Sequence, residues 1–156
     1  MSYAVQGLDP ARFAPLFAMN EGELTDHRAV RLHAASSAGF PCRVSLRDAD
    51  EGEELVLVNH VNHDVETPCR NAFAIYVRKD AGEAARYVDE CPPVFTGRPI
   101  ALRGYDGSGM LVGARLAMPG GADEVIRELL DDPQVAYIDA HNAAHGCFAA
   151  RIERHD

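Results

Sequence analysis

The residues best suited to chemistry fall within one stretch of twenty, Val135 to Arg154, which reads VAYIDAHNAAHGCFAARIER and holds Asp139, His141, His145, Cys147 and Arg151. A cysteine acts as a nucleophile only as its thiolate, and that form needs a base or a positive charge beside it. His141 and Arg151 are of the types that supply one. The segment reads as two short strands closed by the loop Asn142–Gly146. Side chains on a strand alternate between faces. Ala136, Ile138 and Ala140 therefore share one face, and Val135, Tyr137, Asp139 and His141 the other. Pairing His141 with Cys147 brings Phe148, Ala150 and Ile152 onto the apolar face and gathers Tyr137, Asp139, His141, Cys147 and Arg151 opposite. A slip of one residue would bury the charges, so the pattern favours this division. Asp139 and His141 lie about 7 Å apart by strand rise, too far for the base–orienter contact of a catalytic triad. The plainer alternative is the wet side of a half-covered sheet, with Cys147 as a small apolar residue.

Other groups extend this set. Cys42 and Arg43 sit in the loop Ser36–Arg43, SSAGFPCR, where Gly39 and Pro41 break regular structure. Arg43, Arg70 and Arg151 adjoin or face loops rich in Gly, Pro and Asn, a setting in which guanidinium forks and free N–H groups grip a carboxylate or phosphate. Ion pairing with the chain's many carboxylates is the competing reading of those arginines. The ligand-binding candidates are thus Cys42, Arg43, Asp139, His141, Cys147 and Arg151. Zinc-type ligands also occur, with His60 near His63 and His141 near His145 and Cys147. No Cys-x-x-Cys is present, His60 and His63 face opposite ways on a regular strand, and Asn142 and Gly146 spoil the helix that would align the second pair. No metal site and no cofactor are assigned. Gly104–Gly109 and Pro119–Gly121 read as turns, not phosphate loops.

The elements that must position these residues are short. Tyr3–Leu8 reads as an edge strand. Asp9-Pro10 opens a helix running to Leu16 or Phe17, and Glu21–His33 reads as a second helix with Leu24, Val30 and Leu32 as its apolar members. Val44–Leu46 begins a strand, and Glu54–His60 follows as a central strand covered on both faces. Asn71–Arg78 is a strand with Phe73, Ile75 and Val77 to one side. Ile100–Tyr105 and Met110–Ala117 flank a hairpin turn at Asp106–Gly109. Asp123–Leu130 is the clearest helix, acidic at its start and stopped by Pro133. The expected core includes Phe13, Leu16, Leu55, Leu57, Phe73, Ile75, Leu102, Val112, Ile126, Leu129, Ile138, Phe148 and Ile152.

Composition bounds the rest. With 47% apolar and 25% charged residues the chain is of globular type. Its 24 acidic against 15 basic residues leave a net charge of −9, which disfavours nucleic acid and anionic membrane surfaces. Neither a leader peptide nor a long apolar run is evident. Four widely spaced cysteines read as reduced thiols of a cytoplasmic protein without a structural disulfide.

Gly39–Leu46 (GFPCRVSL), Gly52–Leu55 (GEEL), Arg103–Asp106 (RGYD) and the His141-Asn142-Ala143 to Gly146-Cys147-Phe148 hairpin together give the chain a family likeness. It resembles the small bacterial proteins of domain-of-unknown-function family 1203, over almost its whole length. The resemblance implies one domain to which both ends belong, and no reaction. The expectation is a single α+β domain over residues 1–156, with a largely antiparallel sheet and two or three helices on one face. Two functions compete. One is a protein or enzyme that takes a small anionic ligand at a Cys/His/Arg pocket formed where the Gly39–Arg43 loop meets the terminal hairpin. The other is a non-catalytic interaction or homodimer module that self-pairs through that hairpin as an exposed edge.

Overall fold

The computed structural model describes residues 1–156. In chain order its elements are β1 (Tyr3–Gln6), α1 (Glu21–Asp26), β2 (Ala29–His33), β3 (Glu54–His63), β4 (Asn71–Arg78), β5 (Arg86–Val88), β6 (Ile100–Tyr105), β7 (Leu111–Ala117), α2 (Ala122–Leu130), β8 (Tyr137–Asn142) and β9 (Phe148–Arg154), with short 3-10 turns between. At 38% strand against 17% helix, strands carry the architecture of this α+β chain. They form two antiparallel sheets, one of order β5-β1-β9-β8-β6-β7 and one of order β2-β3-β4.

Strand alternation gives the larger sheet two unlike faces. Tyr3, Val5, Ile100, Leu102, Ile138, Ala140, Ala150 and Ile152 project to one side and meet Ile126, Leu129 and Leu130 of α2 in the main core. Burying the valine, leucine and isoleucine side chains contributes about 1.5–3 kcal/mol each, and the Tyr3 hydroxyl at the margin donates to Asp123. The other side carries Tyr105, Tyr137, Asp139, His141 and Arg151, and it is covered by the smaller sheet. His63 at the end of β3 stacks on Tyr105 with ring centroids 3.9 Å apart. Its Nδ1–H donates to the Cys69 carbonyl at 2.9 Å, so its Nε2 accepts from the Tyr137 hydroxyl at 2.7 Å. The smaller sheet has its own core of Phe13, Leu16, Leu24, Cys42, Val44, Val56, Val58, Ile75 and Val77.

Several elements differ from the sequence expectation. Residues 9–17 form two 3-10 turns, Pro10–Arg12 and Ala14–Ala18, because Pro15 removes an N–H that a continuous helix would need. The second expected helix stops at Asp26. Arg28 takes a left-handed φ of 52°, and the chain then enters β2, whose residues pair with β3. Val44–Leu46 is a tight turn instead of a strand start, with Leu46 at φ 55° and its N–H donated to the Cys42 carbonyl. β1 lies inside its sheet between β5 and β9, not at an edge. Leu57, Phe73 and Val112 are only half-buried, whereas the other ten expected core residues are buried.

β4, β6, α2 and the terminal hairpin appear where their patterns place them. β3 is the middle strand of its sheet, with Leu55 buried on one face and Val56 and Val58 on the other.

Candidate functional site

The Gly39–Arg43 loop is held by backbone. Cys42 bridges Tyr76 of β4 in parallel fashion, and Arg43 donates its N–H to the Tyr76 carbonyl while its own carbonyl accepts from Leu8. Gly7 makes the last contact possible. A side chain there would place its Cβ 2.1 Å from the Val44 carbonyl oxygen, so only glycine admits this approach. Held from both sides, the loop aims the Arg43 side chain at the mouth of the terminal hairpin.

That hairpin pairs Ile138 with Ile152, Asp139 with Arg151, Ala140 with Ala150 and His141 with Phe148. The register is two residues from the expected one. An even shift leaves the faces unchanged, so Tyr137, Asp139, His141 and Arg151 do share a side. Phe148 is the exception. The ladder is irregular between Ala140 and His141, and Phe148 pairs with His141, their ring centroids 6.0 Å apart, instead of joining Ile138. β8 and β9 are both interior strands, so the hairpin offers no free edge for self-pairing.

Arg43 is 2% exposed. Its Nε donates to the Phe148 carbonyl at 2.7 Å, Nη1 to the Pro41 carbonyl at 2.5 Å, and Nη2 to Cys147 Sγ at 3.0 Å. No carboxylate lies within ion-pair distance of it. Burial lowers its pKa from the ordinary guanidinium value, yet a guanidinium keeps its proton at any physiological pH. A full positive charge therefore sits inside the protein with two carbonyls and a sulfur for company.

His141 is fully buried and supports the same turn, its Nδ1–H donating to the Gly146 carbonyl at 3.0 Å. Its Nε2 has no partner. Burial pushes its pKa down to about 4, and the Arg103 and Arg43 guanidiniums act in the same direction, so the ring is neutral. It packs edge-on against Phe73 with centroids 5.2 Å apart.

The other candidates separate from this group. Cys42 is buried in the smaller sheet's core, where its sulfur meets the N–H groups of Ser45 and Arg78. Asp139 and Arg151 form a two-pronged pair at 2.8 and 3.0 Å, and Arg151 also donates to the Asn62 carbonyl and lies over the Tyr137 ring. They close the interface between the sheets. The histidines scatter as well. His60 packs on Phe13, His63 on Tyr105, and no three His, Cys, Asp or Glu side chains gather where they could hold an ion.

Arg43 and Cys147 open onto a cleft of about 340 Å³ whose remaining lining is Gly39, Pro41, Leu57, Phe73, Ala74, Tyr76, Arg98, Asn142 and His145. One wall is apolar, from Leu57, Phe73, Ala74 and the Tyr76 ring. The other carries Arg43, Arg98, Asn142, His145 and Cys147. In a chain of 24 acidic residues no carboxylate lines this cleft. Arg98 is held by Asp48 through two contacts of 2.9 Å from behind the wall. Arg98, Tyr76 and Asn142 are residues that sequence reasoning did not single out. Gly-Arg-Pro at 97–99 carries no motif, and Tyr76 reads only as one polar position of β4.

A two-sheet α+β protein with a buried cation at the rim of a carboxylate-free cleft is what the fold and the geometry define. The chain belongs to the family described as Protein of unknown function (DUF1203), whose match spans residues 39–154. The match begins at the loop that carries Arg43 and runs through the hairpin that carries Cys147, leaving β1, α1 and β2 outside it. No curated protein and no solved structure matches the chain.

Proposed function

We propose that this protein binds a small organic anion in the cleft between the Gly39–Arg43 loop and the β8–β9 turn. The observation that carries the reading is the Arg43 guanidinium, buried without a carboxylate and facing that cleft. An uncompensated buried charge is costly, and an anionic ligand offsets that cost. A guanidinium has five N–H donors, and three of those on Arg43 are used. The free ones, with Arg98, His145 and Asn142 beside them, suit a carboxylate or phosphate. The apolar wall suits a short hydrocarbon or aromatic body. A volume of about 340 Å³ lies at the small end of the range for metabolite sites.

Thermal shift and calorimetry against aliphatic and aromatic carboxylates and phosphate monoesters test this. One class should raise the melting temperature at millimolar concentration, and Arg43→Met and His145→Ala should abolish and weaken that rise. A flat response across the panel, or a rise that survives Arg43→Met, ends the reading.

Self-association is the second reading, moved from the hairpin to β7. This strand is an edge of the larger sheet, and Leu116 within it and Met118 just after it are 59% and 60% exposed. Long apolar edges invite pairing. Sedimentation of the wild type against Leu116→Lys decides it, with a monomer at all concentrations counting against it. No helix is long and apolar enough to cross a membrane, and the four unpaired cysteines suit the reducing cytoplasm we assign.

A further inference from the structure

We propose that Cys147, contacted by the buried Arg43 guanidinium, is the reactive thiol of this chain and a site of oxidation by hydroperoxides. This needs no organic anion in the cleft, although an anionic Cys147 sulfur would share the Arg43 charge on which the anion reading rests.

The four cysteines differ in what surrounds their sulfurs. Cys42 is fully buried. Cys69 accepts a backbone N–H from Leu111 at 3.4 Å. Cys91 lies 3.7 Å from the Tyr3 hydroxyl, and burial raises its pKa, with Asp123 adding to the rise. Cys147 alone among them receives an N–H from a guanidinium, at 3.0 Å, and that guanidinium has no carboxylate to neutralise it. Cations beside a sulfur favour its anionic form, and they do so more strongly where water is excluded. Cys147 is also half-buried on the wall of an open cleft, so a small electrophile reaches it.

Two features hold the sulfur in place. The His141 Nδ1–H fixes the Gly146 carbonyl, and Asn142 exchanges backbone hydrogen bonds with Gly146 and Cys147. His141 is thus a positioning residue. The nucleophile is Cys147 Sγ, and Arg43 stabilises its charge.

A hydroperoxide reacts at Cys147 by displacement at its terminal oxygen. The thiolate attacks the terminal oxygen, an S–O bond forms and the O–O bond breaks. The terminal OH transfers to sulfur, giving a sulfenic acid, and the alkoxide or hydroxide leaves and takes a proton from water. Sulfur is oxidised by two electrons and the peroxide is reduced by two. Cys42 turns its sulfur into the other core, so no resolving thiol within the chain meets the product. Reversal falls to an external thiol.

The test is residue-resolved mass spectrometry of the intact protein in buffer free of organic anions. Limiting iodoacetamide should label Cys147 roughly tenfold faster than Cys69 or Cys91 at pH 7. One equivalent of hydrogen peroxide followed by dimedone should place the sulfenic-acid tag on Cys147 first. In Arg43→Met the Cys147 rate should fall by roughly tenfold while the Cys69 rate stays unchanged. Arg43→Lys, which keeps a charge, should fall between. Should Arg43→Met fail to fold, the wild-type ranking and the peroxide tag stand by themselves. Equal labelling of Cys147 and Cys69, or a tag distributed over several cysteines, overturns the proposal and leaves the anion reading untouched.

Discussion

Arg43 and Arg78 are both buried arginines, and the protein treats them in opposite ways. Arg78, at 7% side-chain exposure, lies against Glu53, which is 17% exposed, and meets both carboxylate oxygens at 2.5–3.0 Å. Hydrogen bonding to Glu53 raises the Arg78 pKa, and Arg78 in turn holds the Glu53 carboxyl below the usual range. That charge is spent within the fold. Arg43 is more deeply buried, and burial acts on it with no carboxylate to oppose it. One buried guanidinium is thus neutralised by a carboxylate, while the other faces a cleft with two carbonyls and the Cys147 sulfur around it.

Glu53→Gln should have the largest effect, about 3–5 kcal/mol in urea unfolding, because it leaves Arg78 buried and unpaired. A loss below that of Arg43→Met would invert the ranking of the two sites.

Acid comes next. Burial holds His141 and His60 near 4, against 6.5 for free imidazole. The folded values lie below the unfolded ones, so the unfolded chain takes up protons that the folded one refuses. Stability is therefore full above about pH 6.5 and falls as the pH drops towards 4, by about 3 kcal/mol for His141 alone. The Glu53 carboxyl, held low by Arg78, loses its contribution only at more acid pH. His141→Phe, which cannot titrate, should show a shallower decline between pH 7 and 4.5; an identical decline would mean that His141 is not neutral when folded.

Arg43→Met should cost about 1–3 kcal/mol, since it orphans the Phe148 and Pro41 carbonyls but also removes an unneutralised charge. The smallest effect belongs to His145→Ala, an exposed position. Its stability should stay within about 0.5 kcal/mol of wild type, while any thermal shift produced by carboxylates or phosphates becomes smaller.

The sequence by itself determined the local elements: β4, the β6–β7 hairpin, α2, and the division of β8 and β9 into an apolar and a polar face. Each rests on periodicity and turn chemistry within a dozen residues, and a register shift of two left the faces intact. It also pointed to Arg43, His141 and Cys147, because guanidinium, imidazole and thiol next to loop residues are recognisable as types. Other features had no local signal. Residues 29–33 became strand β2 because β3 offers hydrogen-bonding partners there, and Arg28 can reverse the chain only at a left-handed φ. Cys42 turned into the smaller core while its neighbour Arg43 turned out of it, a choice made by Tyr76 and Leu8 holding the loop backbone. The contact between Arg43 and Cys147 joins residues 104 apart, and the absence of a carboxylate around them depends on where every acidic side chain finally lies. Periodicity reports which face a residue occupies; only the packing of two sheets decides what that face meets.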